Sequence, residues 1–159
     1  MNKFLSEFIY GSIDGLITTF AIISSSIGAS IPNAYIIIIS IASLLSDSYS
    51  MGVSRYLSYT AELKKNVQTK NPFISGIYTF ISFVIIGSIP ILPFIFLEKN
   101  IFQTSLIITL VLFLLIGIIK GLVLNTCIIK NAIEILLLGG SAALISYYVG
   151  YYLKNRLNI

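Results

Sequence analysis

Five apolar segments of membrane-spanning length fill almost the whole of this 159-residue chain, at roughly Ile9–Ile31, Ala34–Leu57, Pro72–Leu97, Phe102–Leu124 and Ala132–Leu153. Each meets the ~20 residues a helix needs to cross a ~30 Å hydrocarbon core. In lipid every backbone N–H and C=O must find its partner within the protein, so isolated apolar segments of this length are confined to helices. The expected fold is an all-α membrane protein, one five-helix transmembrane domain over residues 1–159. Composition agrees, since only 10% of residues are charged against about 25% in soluble domains. The connections are too short to add a soluble domain.

Sidedness follows from the basic residues. Lys3, Lys64, Lys65, Lys70 and Lys130 fall on one side, with Arg55 and Lys120 close to it, while Lys99, Lys154 and Arg156 fall on the other. That asymmetry predicts a cytoplasmic N-terminus and an outer C-terminus. The net charge of +4 is then an orientation signal. It forms no separate basic face, so the bilayer is the expected partner and nucleic acid is not. The absence of His and the single Cys127 exclude a Cys/His zinc site and an intrachain disulfide. Cys127 reads as a small apolar filler. The first segment is too long for a signal h-region, carries Asp14 and lacks a small-residue cleavage site, so it reads as a retained span.

Asp14 is the one charged residue between Glu7 and Asp47, in the run IYGSIDGLITTFAIISSS. A carboxylate at that depth costs several kcal/mol unless it is paired, hydrated or protonated, which marks an ion or proton path. The run SLLSDSYSMGVSRYLS repeats the pattern with Asp47, Met51 and Arg55. The first helix runs outward and the second returns. Asp14 and Met51 each lie five or six residues from the inner end, or roughly 8–9 Å at ~1.5 Å per residue. They share a level, and Asp47 is one turn deeper on the face of Met51. Two carboxylates and a thioether suit Fe²⁺ or Mn²⁺ better than Mg²⁺ or Ca²⁺.

Small residues crowd the same helices. Gly11/Gly15 and Gly117/Gly121 form G-x-x-x-G pairs, and the second segment carries Ser40, Ala42, Ser43, Ser46, Ser48, Ser50, Gly52 and Ser54. Close helix packing is the ordinary use of such residues. Hydroxyls offered to an ion are the alternative, with Ser43 and Ser50 as the further pathway candidates. Pro90 and Pro93 should kink or stop the third helix near its outer end.

The stretches YGSIDGLITTFAIISSSIGAS and SDSYSMGVSRYLS resemble the first- and second-helix signatures of the vacuolar iron transporter family, iron and manganese transporters with yeast, plant and nodulin-like members. PFISGIYTFISFVIIGSIPILPF and LLLGGSAALISYYVGYYL are similar to its third and fifth helices, in order. The resemblance implies five helices per subunit and a homodimer with its pathway near the subunit interface. It also implies export of Fe²⁺ or Mn²⁺ from the cytosol for storage or detoxification, in some members by proton exchange. On that likeness Asp14 and Met51 fall on pathway positions and Asp47 on the aspartate of the second-helix motif. No permanently bound cofactor is implied; the metal is cargo.

Two departures from the family pattern stand out. Ser43 occupies a position where some members have glutamate, which removes one carboxylate. Larger members insert a glutamate-rich metal-binding domain after the second helix, whereas here a short linker joins Leu57 to Pro72. Glu62 is its one carboxylate, either a solvated residue beside Lys65 or a reduced entrance ligand. Elsewhere Arg55 is expected to snorkel, with pairing to Asp47 as the alternative. Glu7 and Lys3 are expected along an interfacial stretch, and Glu134 paired to Lys130.

Three functions fit an intramembrane acidic pocket. Metal/proton antiport of iron or manganese leads. A passive divalent-cation channel comes second. An intramembrane aspartyl protease comes last, because neither YGSIDG nor LLSDSYS supplies the G-x-G-D motif of that class. No enzyme activity is expected. The membrane would be the plasma membrane of a prokaryote, or a vacuole-like or other endomembrane in a eukaryotic or viral setting.

Overall fold

A computed structural model describes residues 4–64 and 71–157. Lys3, Lys65 and Lys70, on which the expected sidedness leans, lie outside the described residues, as does the side chain of Lys64. The described elements are α1 (Leu5–Gly28), α2 (Asn33–Lys64), α3 (Pro72–Ser88), α4 (Leu92–Phe96), α5 (Ile101–Leu124) and α6 (Ile128–Leu157). A single 3₁₀ turn, Ile89–Ile91, joins α3 to α4. These two helices form one span, so five helical spans are long and apolar enough to cross a membrane. The chain is an all-helical, multi-pass membrane protein.

The turn between α3 and α4 is where the two prolines remove backbone donors and crowd the preceding carbonyls. The carbonyl of Pro90 accepts a hydrogen bond from Ser105 Oγ on α5 at 2.7 Å. A neighbouring hydroxyl thus satisfies backbone freed by the break, as lipid surroundings require. The helices also overrun the apolar segments. Thus α2 continues past Leu57 to Lys64, and its 32 residues reach about 48 Å at ~1.5 Å per residue, well beyond a ~30 Å core. The excess carries Tyr59 and Glu62 on a rigid helical stem.

Helix α1 is central, packed chiefly on α3 and α6, while α2 rests on α3 and α5 on α6. The approach is close because glycines line the contacts. A Cβ on Gly15 would meet the Phe83 carbonyl oxygen at 2.6 Å, and one on Gly11 the Thr79 oxygen at 2.6 Å. Gly52 of α2 faces Gly76 of α3, Gly117 faces Ala132 and Gly121 faces Ile128. Two apolar clusters fill the interior. Phe20, Ile23, Ile36, Leu44, Phe83, Ile91 and Phe94 make one, and Ile9, Leu16, Phe113, Ile116 and Ile135 the other.

Candidate functional site

The seam between α1 and α2 gathers the polar groups. Two contacts set its antiparallel register. The Tyr59 hydroxyl donates to Glu7 Oε1 at 2.7 Å, and the Arg55 guanidinium carbon lies 4.3 Å from the centre of the Tyr10 ring. Extending that register one turn along both helices would set Met51 at the level of Asp14, with Asp47 a turn beyond. Asp14 and Asp47 are close enough for their charges to interact. Asp14 is half-buried and Asp47 exposed at the edge of α2. Among the described residues, neither carboxylate receives a hydrogen bond or an ion pair. The helix satisfies only the backbone here, where Thr18 Oγ1 donates to the Asp14 carbonyl at 2.8 Å.

Met51 has two surroundings. It packs on the cluster around Phe20 and Phe83, and it lines a cavity of about 210 Å³ with Tyr10, Ser54, Arg55 and Ser58. The larger groove between α2 and α3, about 450 Å³, is bounded by Tyr49, Tyr56, Phe73 and Phe80 and contains no carboxylate. Asp14 and Asp47 lie instead where α1 meets α2. Ser43 is half-buried and Ser50 exposed, both on the edge of α2 that carries Asp47. Glu62 stands apart at the far end of the helix, where Ser58 Oγ donates to its Oε1 at 3.4 Å. Among the described residues no three His, Cys, Asp or Glu side chains converge into a metal cluster. Asp14 and Asp47 thus come near one another where α1 meets α2, and Met51 lies one turn from Asp47 on α2.

Glu7 and Glu134 depart from their sequence expectation, and for Arg55 the alternative of pairing with Asp47 is not realised. Glu7 is not interfacial. It is 1% exposed, within the first turn of α1, and accepts from Ser6 Oγ at 2.9 Å as well as from Tyr59. The overrun of α2 supplies the tyrosine that makes this burial tolerable. The signal available in sequence was a carboxylate seven residues before Asp14, two helical turns along nearly the same face. Arg55 lies between the rings of Tyr10 and Tyr59, 5.4 Å from the latter, and forms no ion pair with Asp47. Glu134 pairs with Lys120 of α5 at 3.1 Å rather than with Lys130, because the close α5–α6 contact at Gly117 and Gly121 brings the two helices together.

A family model described as the VIT family matches residues 5–69 and 59–151, which take in four spans and most of the fifth. The chain belongs to the VIT family. Similar proteins include a vacuolar iron transporter of Plasmodium berghei, 48% identical over 59 residues, which are 37% of this chain and 22% of that protein. The namesake in Plasmodium falciparum is 48% identical over 58 residues, 36% of this chain and 21% of the relative. That of Toxoplasma gondii is 32% identical over 61 residues, 38% of this chain and 20% of the relative. The matched segments thus span about a fifth of these relatives. The VIT family relatives carry a transporter's name, not an enzyme's.

Proposed function

We propose that this chain moves divalent iron across a membrane, with Asp14, Asp47 and Met51 lining the path. The observation that carries this reading is the pair of aspartates on neighbouring membrane-spanning helices, close enough for their charges to interact and, among the described residues, without an ion-pair partner. Such carboxylates are sustained by a cationic cargo, by protons or by water. The names of the Plasmodium and Toxoplasma relatives add support. Carboxylate and thioether donors accept Fe²⁺ and Mn²⁺ alike, so manganese is included as cargo. Export from the cytosol is the direction that the family resemblance implies, and the lysine asymmetry favours a cytoplasmic N-terminus, which would put Asp14 and Met51 nearer the cytosolic face. Metal then leaves the cytosol, in exchange for protons that the vacated aspartates carry back.

A second copy of the chain completes the path. Ser46, Asp47, Ser50 and Ser54 form an exposed polar stripe on a membrane-spanning helix. Lipid cannot solvate such a stripe. A homodimer meeting along the α1–α2 seam would cover it and bring the donors of both chains together.

The test is Fe²⁺ uptake into liposomes containing the purified protein, with and without an opposing pH gradient. Asp14→Asn keeps shape and removes charge, so it should abolish uptake while helicity and oligomeric state stay intact. Uptake by that variant at the wild-type rate refutes the reading. Flux indifferent to the gradient favours a passive channel over antiport.

A further inference from the structure

The remaining charge at the seam is Arg55, which the donor set does not use. It lies one turn from Met51 on α2, and both line the 210 Å³ cavity with Tyr10, Ser54 and Ser58. Its guanidinium is held by ring faces, Tyr10 at 4.3 Å and Tyr59 at 5.4 Å. Its Nε is buried without a hydrogen-bond partner. Among the described residues it forms no ion pair. This is an unusual way to keep an arginine among carboxylates, because guanidinium pairs with them bidentately wherever geometry permits. The Tyr59 ring lies under the guanidinium while its hydroxyl holds Glu7 Oε1. One side chain thus touches both a buried carboxylate and the cation.

The consequence is a positive charge without an ion-pair partner among the described residues, at a cavity it shares with Met51. We propose, resting on the metal-transport reading of the seam, that Arg55 is a specificity-setting residue: a tethered cation that weakens divalent-metal binding at Asp14 and Met51. Aromatic faces attract the guanidinium without neutralising it, so its repulsion reaches the site while both aspartates stay available. A divalent ion feels twice the repulsion of a monovalent one at the same distance. The site therefore holds only ions whose bonds to carboxylate and sulfur outweigh that repulsion, and it holds them weakly enough to release them. Arg55 needs no contact with the metal to act in this way.

The experiment is Mn²⁺ binding to the purified full-length chain in lipid nanodiscs, followed by loss of the free-ion electron paramagnetic resonance signal. R55Q should bind Mn²⁺ at least about tenfold more tightly than wild type, the effect of removing a unit charge roughly a turn or two from a divalent ion. R55L, which also removes the charge and suits a lipid setting, should tighten binding to the same degree. R55K keeps the charge and should restore wild-type affinity to within about threefold, the scale of a displaced but retained charge. Asp14→Asn in the R55Q background should abolish the gain. Unchanged affinity in both R55Q and R55L overturns the proposal and leaves the transport reading standing, as does an R55K variant that tightens like R55Q. Mn²⁺ bound by none of the proteins overturns the proposal together with the metal site itself.

Discussion

Gly15 offers a direct measure of how tightly the α1–α3 contact is built beside Asp14. In Gly15→Ala the new Cβ would lie 2.6 Å from the Phe83 carbonyl oxygen and 3.0 Å from its Cα. Both atoms are backbone, so no rotamer change can relieve the overlap. The oxygen contact falls short of an ordinary 3.4 Å separation by about 0.8 Å, and α1 and α3 must part by a comparable amount. Overpacking of that kind costs about 1–3 kcal/mol. Gly140→Ala is the matched control, because a Cβ there meets nothing within 4 Å. Both substitutions gain the same helix preference for alanine, roughly 1 kcal/mol, so the difference between them isolates the clash. Thermal unfolding in detergent, followed by far-ultraviolet circular dichroism, should rank Gly140→Ala at or above wild type. Gly15→Ala should fall about 1–3 kcal/mol below the control. The displacement also shifts Asp14, one residue away, so Fe²⁺ uptake should drop further than stability does. Equal melting of the two variants would refute the close-contact reasoning.

Three further outcomes are expected. Met51→Leu retains volume and loses the soft donor, so Fe²⁺ uptake should fall more than uptake of the harder Mn²⁺; equal loss, or none, would make Met51 a packing residue. Glu62→Gln should leave the apparent metal affinity in transport assays within about a factor of two to three, the scale of exposed charge effects; a tenfold loss would make Glu62 an entrance ligand. A double-mutant cycle on Glu7 and Tyr59, with Gln and Phe as replacements, should return a coupling of about 1–2 kcal/mol in denaturant unfolding, as befits a buried hydrogen bond to a carboxylate; additive losses would show that the 2.7 Å contact contributes little.

What the amino-acid sequence determined by itself are the properties that run along one helix. Apolar length gave five spans, because a bilayer tolerates only helices of about that length. Pro90 and Pro93 broke the third span near one end, at the single turn Ile89–Ile91, because their missing donors act wherever the helix is placed. A common level for Asp14 and Met51 is likewise an expectation from one dimension, since a short loop and a fixed rise per residue set the register of two antiparallel helices. Rotation of one helix against another is different. It depends on which small residues meet, and no linear pattern contains it. Only the tertiary structure buried Glu7, since that required α2 to overrun the apolar segment and carry Tyr59 back to α1. It likewise set Arg55 between two tyrosine rings instead of beside Asp47, and paired Glu134 with Lys120 across α5 and α6 rather than with Lys130 on its own helix. It left Asp47 at the exposed edge of α2, where lipid is no partner for a carboxylate. The glycine contacts of α1 and α2 with α3, and of α5 with α6, fix how closely these helices meet, and that spacing is a property of the packed bundle alone.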